Sequence, residues 1–254
     1  MSPVAIVTTS DSGIGQECAK ELAENGFDVG ITYRSDESGA RETLAAVEAA
    51  GRRGEVRRLD LAGLPGAADV IDALADALGG VDVLGNNAGT GDQTGDFLEL
   101  PFEEWRRVLD TNLSGAFLCA QRAARKMVEA GNGGRIINIT SVHEHLPRAG
   151  ASAYCASKGG LGLLTKVMAM ELGGHGITVN AVGPGEISTP MTGAEDTAPA
   201  TIERPNIPLG RPGHAREISN FVAFLASDKC SYATGSSIIV DGGLMLMGAQ
   251  LGAG

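Results

Sequence analysis

The side chains best suited to proton chemistry lie in the second half of the chain. Tyr154 and Lys158 are four positions apart in a segment with a helical pattern, so both project from one face of the predicted helix. Ser141 follows a predicted strand, at the end where parallel sheets form their ligand crevice. A lysine beside the phenol would stabilise a tyrosinate, which makes Tyr154 a candidate acid or base near neutral pH. Taken alone, the pair is also typical of a half-buried core tyrosine and a solvated lysine.

A glycine-containing turn near the start of the chain is a second candidate site. It runs from Thr9 to Gly15, after the first predicted strand and directly before a helical segment. A dinucleotide pyrophosphate binds at such a position, because backbone N–H groups and the helix dipole point toward it. Gly13 and Gly15 permit close approach, whereas Thr9 stands where a TGxxxGxG loop has glycine, which predicts a slightly different backbone path. An ordinary glycine-rich turn before a helix is the alternative interpretation.

Both candidate sites lie in an alternating pattern of strands and helices. Short β-branched segments alternate with longer helical ones, which is typical of βαβ units and a parallel sheet. The predicted strands are Val4–Thr8, Asp28–Tyr33, Glu55–Leu59, Val81–Gly85, Arg135–Thr140, Thr178–Ala181 and Ser237–Val240. The predicted helices are Gly15–Asn25, Gly39–Ala50, Gly66–Leu78, Phe102–Glu129, Ala153–Gly173 and Ala215–Ala226. The sequence therefore predicts an α/β fold, a single Rossmann-like doubly wound domain over residues 1–254 with a seven-stranded parallel sheet.

The composition of the chain excludes several classes of binding partner. The 254 residues, 43% of them hydrophobic and 20% charged, are enough for one domain with a sizeable core. A net charge of −11 gives no electrostatic footprint for nucleic acid or an anionic membrane. No apolar stretch approaches the roughly 20 residues of a membrane-spanning helix, and the first residues lack a signal-peptide pattern. We therefore expect a small-molecule substrate, no nucleic acid, no membrane and a cytoplasmic location.

Two irregular segments border the predicted crevice. Six prolines fall within Gly183–Gly213, and we expect residues 186–210 to form a mobile lid over the substrate. His143, Glu144 and His145 follow Ser141 with a spacing that does not match HExxH. We therefore expect no metal and predict that His143 or Glu144 contacts substrate, with a surface loop as the alternative. The cysteines, Cys18, Cys119, Cys155 and Cys230, form no CxxC pair and predict neither a disulfide framework nor a zinc site.

The order of the motifs resembles the short-chain dehydrogenase/reductase family over essentially the entire chain. The resemblance rests on the glycine-rich turn, Asn86–Gly89, Asn112, Ser141, Tyr154–Lys158 and Pro184–Gly185. Within the family, Ser141–Glu144, Tyr33–Ser35 and Gly183–Gly185 resemble the glucose 1-dehydrogenase branch, and small-ketone, diketone and 3-oxoacyl reductases are similar. The resemblance implies an NAD(P)(H)-dependent oxidoreductase that moves a hydride between the nicotinamide and a carbonyl or secondary alcohol of a sugar or small ketone.

The resemblance also implies roles for individual residues. Tyr154 would exchange the proton, Ser141 would donate a hydrogen bond to the substrate oxygen, and Lys158 would bind the nicotinamide ribose and lower the tyrosine pKa. Asn112 would hold a water that relays protons to Lys158. Asp60 would meet the adenine amino group, although aspartate is also common as a turn residue after a strand. The implied cofactor-binding residues are Ser10, Asp11, Ser12, Gly13, Ile14, Gly15, Tyr33, Arg34, Ser35, Asp60, Leu61, Asn86, Ala88, Gly89, Tyr154, Lys158, Pro184, Gly185, Ile187 and Thr189.

Cofactor preference is predicted from the end of the second strand. NAD-dependent enzymes typically place an acidic residue there against the ribose 2′-hydroxyl, and NADP-dependent enzymes place a basic one. Arg34 and Ser35 offer a charged fork and a hydroxyl to a 2′-phosphate, while the first carboxylate, Asp36, falls later. We expect NADP(H) to be preferred and NAD(H) to be possible, with use of both cofactors as the alternative.

Two other functions stay open at this point. A 3-oxoacyl thioester reductase shares the implied residues, but an acidic acyl-carrier partner would be repelled by the net charge of −11. A non-catalytic dinucleotide-sensing module would be expected to have lost Tyr154 or Lys158.

The family resemblance and the apolar run Leu244–Met247 predict a homotetramer, since soluble monomers avoid contiguous exposed apolar patches.

Overall fold

The computed structural model describes residues 2–91, 96–193 and 197–250, and within them a parallel sheet dominates the architecture. The strands are β1 Val4–Val7, β2 Asp28–Tyr33, β3 Gly54–Arg58, β4 Val83–Asn86, β5 Gly134–Ile139, β6 Ile177–Pro184, β7 Ile187–Ser188, β8 Gly213–His214 and β9 Ser237–Val240. Seven of them form one sheet in the order β3-β2-β1-β4-β5-β6-β9, and β7 pairs separately with β8. The predicted α/β class and seven-stranded parallel sheet are confirmed.

Helices cover both faces of this sheet. In the described residues they are α1 Gly13–Glu24, α2 Glu37–Ala49, α3 Asp69–Leu78, α4 Phe102–Leu109, α5 Gly115–Ala130, α6 Ser152–Leu172 and α7 Ala215–Ala226. Strand β1 shows why two layers are needed, because Ala5, Ile6 and Val7 are all 0% exposed. Ala5 and Val7 belong to the hydrophobic cluster that contains Leu22 of α1, whereas Ile6 belongs to the one that contains Leu74 of α3. Alternating side chains of a strand buried on both faces thus require a helical layer on each side.

The strand order reverses between β1 and β4. Strand β1 is hydrogen-bonded to β2 on one side and to β4 on the other, so the chain winds outward in both directions from this point. The loops that follow the carboxyl ends of two such strands run in opposite directions, which opens a crevice between them. The glycine-rich turn follows β1, and the Asn87 amide donates to the Thr9 carbonyl at 2.8 Å across the crevice wall.

The predicted helix Phe102–Glu129 is interrupted and needs correction. Between α4 and α5, residues Asp110–Ser114 form one turn of π-helix. Asn112 lies on this turn and is 0% exposed. Single π-helical turns inside α-helices are often found at functional sites, because the wider turn changes where a side chain is aimed.

Several other element boundaries differ from the prediction by a few residues. Helix α2 begins at Glu37 rather than Gly39, because the Asp36 carboxylate accepts a hydrogen bond from the Gly39 N–H at 3.0 Å and caps the helix. Strand β4 begins at Val83, and β6 continues to Pro184. The first residues of the predicted helix Gly66–Leu78 form a 3₁₀ turn instead.

The segment predicted to form a lid contains short local structure. Strand β7 lies at its start, and 3₁₀ turns follow at Pro190–Thr192 and Pro199–Thr201. The stretch predicted to be most mobile, 193–200, includes residues 194–196, which lie outside the described residues. Among the helices that the structure describes, none has the length and apolar character needed to cross a membrane.

Candidate active site

Ser141 lies just beyond the carboxyl end of β5, where the strand gives way to a tight turn. Its hydroxyl accepts a hydrogen bond from the His143 backbone N–H at 3.2 Å, which caps the 3₁₀ turn Val142–Glu144. The residue is 6% exposed. Its side chain is also hydrogen-bonded to Tyr154 on α6. The structure therefore brings two of the predicted catalytic residues into direct contact.

The surroundings of Tyr154 keep its phenol protonated in this state. Burial raises the pKa of Tyr154, while the hydrogen bond with Ser141 and the charge of Arg148 act to lower it. The ring of His143 packs edge-on against the Tyr154 ring, with centroids 6.0 Å apart. Arg148 was not singled out from the sequence, because an isolated arginine in an exposed loop carries no pattern.

Lys158 follows Tyr154 by one helical turn and is 3% exposed. Its amine donates to the Ile139 carbonyl at 2.8 Å and lies 5.7 Å from the centroid of the Tyr154 ring. Burial lowers the pKa of Lys158 to about 8. A buried amine that titrates near neutrality is typical of a functional site. The effect of Lys158 on the pKa of Tyr154, which the family resemblance implies, stays a prediction.

Asn112 connects the loop after β4 to the helix that carries Tyr154 and Lys158. Its side-chain oxygen accepts from the Thr90 N–H at 2.8 Å, and its amide donates to the Thr90 carbonyl at 2.9 Å and to the Ser157 hydroxyl at 3.0 Å. Ser157 in turn donates to the Tyr154 carbonyl at 2.7 Å. These bonds fix α6 relative to the π-helical turn. The water relay implied for Asn112 stays a prediction.

His143 and Glu144, the predicted substrate contacts, have different surroundings. His143 Nδ1 lies 2.8 Å from the Leu146 carbonyl, so Nδ1 must carry a hydrogen for this bond to form, and in the neutral ring Nε2 is then an acceptor. The Glu144 carboxylate is 4% exposed and accepts a hydrogen bond from the Ser237 hydroxyl at 2.9 Å. It occupies space that Gly162 leaves open, since a Cβ there would lie 2.2 Å from Glu144 Oε1. These contacts favour a packing role for Glu144 over the predicted substrate contact.

Thr9 is held in a backbone conformation that side chains with a Cβ rarely adopt. Its φ is 52°, in the left-handed region. Its N–H donates to the Thr32 hydroxyl at 2.8 Å, and its carbonyl lies so close to α1 that a Cβ at Gly15 would be 2.0 Å away. The loop therefore accommodates Thr9 at the cost of backbone strain, in a conformation that glycine adopts freely.

A cavity of about 400 Å³ borders the glycine-rich turn. It is lined by the turn itself, the start of α2, residues 188–190 and residues 214–215. Asp11 is 8% exposed, and its Oδ1 is buried with no hydrogen-bond partner in the described part of the chain. Gly13 has a φ of +54°, which only glycine adopts freely. A glycine-rich turn at a helix N-terminus and an orphaned acceptor are features that a bound dinucleotide would complete, so the residues present fit such a group.

The predicted adenosine side lies at the ends of β2 and β3. Arg34 is exposed, and its charge lowers the pKa of Asp11, which places the two side chains in the same region. The Asp60 carboxylate accepts from the Ala62 N–H at 3.3 Å and pairs with Arg58 at 2.8 Å. These bonds support the alternative that Asp60 is a turn residue, and its predicted adenine contact stays a prediction.

Some predicted cofactor residues bury their side chains inside the fold. The Asn86 amide donates to the Ala116 carbonyl and to Asn138 Oδ1, both at 3.0 Å. Leu61 is 5% exposed and packs against α5, where a Cβ at Gly115 would lie 2.7 Å from it. Only the backbone of Asn86 and Leu61 is therefore available to a ligand.

The predicted nicotinamide side meets the glycine-rich turn. A Cβ at Gly13 would lie 3.4 Å from Thr189 Cβ, so the segment after β6 contacts the turn after β1. Sequence reasoning missed Thr8, whose hydroxyl accepts from the backbone N–H groups of Asn87 and Ala88, both at 2.9 Å. A polar residue at the end of an otherwise apolar strand was the available signal for it.

Together the fold and the site define a dinucleotide-dependent oxidoreductase. The doubly wound sheet supplies the crevice, the glycine-rich turn borders it at β1, and a hydrogen-bonded serine–tyrosine pair stands near a buried lysine at β5. Comparison with known proteins assigns the family. A sequence profile described as Enoyl-(Acyl carrier protein) reductase matches residues 8–245. The chain belongs to the short-chain dehydrogenase/reductase family, whose members use nicotinamide dinucleotides, and the predicted family and enzyme class are confirmed.

Individual relatives cover nearly the whole chain. The Uncharacterized oxidoreductase YohF of Escherichia coli K12 is 53% identical over 250 residues, which are 98% of each protein. The crystal structure of an acetoin dehydrogenase from Enterobacter cloacae is 55% identical, with a TM-score of 0.92 and 97% of each chain covered. The 3-oxoacyl-[acyl-carrier-protein] reductase FabG of Staphylococcus epidermidis is 39% identical over 97% of this chain and 100% of the relative.

Proposed function

We propose that this protein interconverts a ketone and a secondary alcohol on a small uncharged substrate, with a hydroxyketone such as acetoin as the best candidate. The observation that carries the proposal is the hydrogen bond between Ser141 and Tyr154 beside the buried amine of Lys158. A phenol, a hydroxyl and an amine at the carboxyl end of a central strand suit proton exchange with a carbonyl oxygen.

We infer which parts of the chain would hold the cofactor. The turn from Ser10 to Gly15 would hold the pyrophosphate through backbone N–H groups, and Lys158 would bind the nicotinamide ribose. The backbone around Asn86, Ala88 and Gly89 would border the adenosine. The segment from Pro184 to Thr189 would flank the nicotinamide. When bound, the cofactor supplies or accepts the hydride, and the protein positions and polarises the substrate.

Tyr154 would give its proton to the carbonyl oxygen during reduction and take it back during oxidation. Ser141 is already bonded to the phenol and would hold the same oxygen in place. The positive charge of Lys158 would stabilise the tyrosinate that remains after proton transfer. Asn112 would preserve this geometry through its bonds to Thr90 and Ser157.

His143 would suit a substrate that carries a hydroxyl next to the reacting carbonyl. With Nδ1 engaged by Leu146, Nε2 is an acceptor on a ring that packs against Tyr154. A neighbouring hydroxyl could donate to it while the carbonyl faces Tyr154. The acetoin dehydrogenase, at 55% identity, supports the same substrate class.

Two alternatives have less support. A 3-oxoacyl thioester reductase is favoured by the FabG relative, at 39% identity. The net charge of −11 disfavours an acidic carrier protein as partner. A dinucleotide-sensing module is disfavoured because Ser141, Tyr154 and Lys158 are all present.

A substrate panel tests the proposal directly. The absorbance of NADH and NADPH is followed with acetoin, a diketone, glucose and a 3-oxoacyl ester, with Tyr154→Phe as the matched control. We expect the hydroxyketone and diketone to give the highest kcat/KM. If the 3-oxoacyl ester gives the highest activity, the proposed substrate class is wrong and a 3-oxoacyl thioester reductase is favoured. If the protein binds cofactor but turns over none of the four compounds, the sensing module is favoured.

Three further predictions accompany this function. We propose a preference for NADP(H), because Arg34 and Ser35 are exposed where a 2′-phosphate would lie. We propose that residues 186–210 close over the substrate, which hydrogen exchange with and without ligand would test. A cytoplasmic location stays a prediction.

The proposed homotetramer has support in the exposed apolar side chains of α5 and α6. Phe117 is 41% exposed, Leu163 64% and Met170 84%. Such a surface is typical of a subunit contact. Light scattering at micromolar concentration should give the tetramer mass, and Leu163→Glu should lower it, whereas a monomer mass for the wild type would contradict the proposal.

A further inference from the structure

Asp11 is a buried residue in a loop whose backbone is fixed by contacts with β2 and α2. The Ser10 N–H donates to the Thr32 carbonyl at 2.8 Å, and the Thr43 hydroxyl donates to the Ser10 carbonyl at 2.8 Å. The first turn of α2 packs directly on the loop, since a Cβ at Gly39 would lie 2.3 Å from the Asp11 carbonyl oxygen. The backbone at Asp11 is therefore held in place where the loop after β1 meets the first turn of α2.

One oxygen of the buried Asp11 carboxylate has no hydrogen-bond partner among the described residues. The residue is 8% exposed, and Oδ1 has no hydrogen-bond partner among the residues that the structure describes. Burial raises the pKa of Asp11 and the nearby charge of Asp36 raises it further, whereas a hydrogen bond with its own backbone and the charge of Arg34 act to lower it. Leaving a buried acceptor unpaired is costly, and such atoms in functional proteins are often satisfied by a ligand.

The surroundings of Asp11 indicate which ligand group would satisfy it. Asp11 lines the cavity of about 400 Å³ beside the glycine-rich turn, together with Asp36 and Gly39. Arg34 and Asp36 follow β2, at the position where dinucleotide-binding sheets distinguish a ribose 2′-hydroxyl from a 2′-phosphate. Asp36 is already engaged as the cap of α2 at 3.0 Å, so its carboxylate is committed to the helix. Of the carboxylates in this lining, Asp11 is the buried one, and its Oδ1 has no partner among the described residues.

We propose that the Asp11 carboxylate accepts a hydrogen bond from the 2′-hydroxyl of the adenosine ribose and disfavours a 2′-phosphate at the same place. A hydroxyl can donate to a carboxylate, whereas a phosphate carries only acceptors and negative charge. This inference rests on the proposed dinucleotide-dependent function and adds a second selectivity group to it. Arg34 attracts the 2′-phosphate and Asp11 opposes it, so the choice of cofactor reflects the balance of the two.

Binding measurements that do not require turnover test the assignment. The fluorescence of NADH and of NADPH is titrated with wild-type protein, Asp11→Asn and Asp36→Asn. The last variant is the matched control, because it removes a charge from the same cavity lining and keeps a helix-capping side chain. Asp11→Asn should weaken NADH by about 10-fold and tighten NADPH by about 10-fold. Asp36→Asn should change the ratio of the two dissociation constants by much less.

An NAD analogue that lacks the 2′-hydroxyl of the adenosine ribose identifies the atom involved. The wild type should bind the analogue about 10-fold more weakly than NAD, and Asp11→Ala, which has no side-chain acceptor, should bind the two equally. If Asp11→Asn does not fold, as judged by circular dichroism, Asp11→Ser replaces it and should shift the cofactor ratio in the same direction.

The outcomes separate this inference from the proposed function. Equal changes for NADH and NADPH in Asp11→Asn, or an undiminished penalty for the analogue, would overturn the role of Asp11 while leaving the enzyme assignment intact. A wild-type protein that binds neither NADH nor NADPH would overturn both.

Discussion

The proposed catalytic region and the region around the glycine-rich turn differ in how fully their polar groups are satisfied. In the catalytic region, Ser141 is hydrogen-bonded to Tyr154, and Lys158 donates to the Ile139 carbonyl at 2.8 Å. The side-chain amide of Asn112 both accepts and donates hydrogen bonds. These contacts lie within the protein and orient the reacting groups before any ligand arrives. Such preorganisation reduces what must be rearranged during the reaction.

The region around the glycine-rich turn is left incomplete. Asp11 Oδ1 has no partner in the described residues, Arg34 is exposed, and Thr9 holds a φ of 52°. Unpaired groups and backbone strain cost stability in the free protein, and a ligand that pairs them recovers part of that cost. We infer from this difference that the catalytic region is preorganised for proton transfer, whereas the region around the glycine-rich turn is completed by the cofactor that it binds. The following predictions test that contrast.

The largest expected effect comes from Tyr154→Phe. The change keeps the aromatic ring, and with it the edge contact to His143, but removes the hydroxyl bonded to Ser141. Turnover should fall on the order of 10² to 10⁴-fold, because general acid–base catalysis is lost. The dissociation constants for NADH and NADPH should stay close to those of the wild type, because the aromatic ring, Lys158 and the glycine-rich turn are all kept.

A kinetic isotope effect shows whether hydride transfer limits the rate in that experiment. Nicotinamide deuterated at C4 should give a primary isotope effect on the wild-type rate under conditions where hydride transfer limits turnover. Near-wild-type turnover of Tyr154→Phe under those conditions would show that the catalytic region does not work through this phenol.

Lys158→Met should reveal a stability cost inside the catalytic region. Burial lowers the pKa of Lys158 from 10.5 to about 8, so the unfolded chain binds this proton more tightly than the folded one. The cost is fully present below about pH 8 and is relieved as the pH rises toward 10.5. At pH 7 the variant should therefore be more stable by on the order of 1 to 3 kcal/mol, although it loses turnover.

Urea unfolding at pH 7 and at pH 10 measures this effect. The difference in unfolding free energy between Lys158→Met and the wild type should shrink at the higher pH, because only the wild type carries the buried amine. A difference that stays constant between the two pH values would show that burial does not perturb the titration of Lys158.

How far the sequence could predict these regions depends on which interactions are local. The sheet and the order of its motifs follow from β-branched segments and turn residues that lie next to one another in the chain. The spacing of Tyr154 and Lys158 is likewise local. The π-helical turn at Asn112 was missed, because the apolar pattern of Phe102–Glu129 fits one continuous helix and a single wider turn barely changes it.

Contacts between distant residues account for the other differences. The packing of Glu144 depends on Ser237, far along the chain, and on the missing side chain of Gly162. The open acceptor of Asp11 depends on how α2 packs against the loop, where the nearby Gly39 N–H donates to Asp36 instead. Neither arrangement leaves a periodic pattern, so only the tertiary structure could reveal it.

Arg34→Ala tests recognition from the side opposite to Asp11. Removing a charge-assisted contact to the 2′-phosphate should weaken NADPH by about 10- to 100-fold, while NADH is nearly unchanged. Arg58→Ala is the matched control, because Arg58 is also exposed nearby and donates to the Arg34 carbonyl at 2.9 Å. Equal losses for both cofactors, or a wild type that strongly prefers NADH, would show that Arg34 does not read the 2′-phosphate.

The smallest expected effect is a gain in stability from Thr9→Gly. A residue with a Cβ at a φ of 52° is strained by about 1 to 3 kcal/mol, while glycine adds about 0.5 to 1 kcal/mol of chain entropy to the unfolded state. The bonds of Thr9 to Thr32 and Asn87 use its backbone, so they survive the change. The net result should be a protein more stable by about 1 kcal/mol, measured by urea unfolding. Gly13→Ala, at a φ of +54°, is the matched control and should destabilise. A Thr9→Gly protein that is less stable than the wild type would mean that the threonine side chain contributes more than its backbone strain costs, and the turn would then be as fully satisfied as the catalytic region.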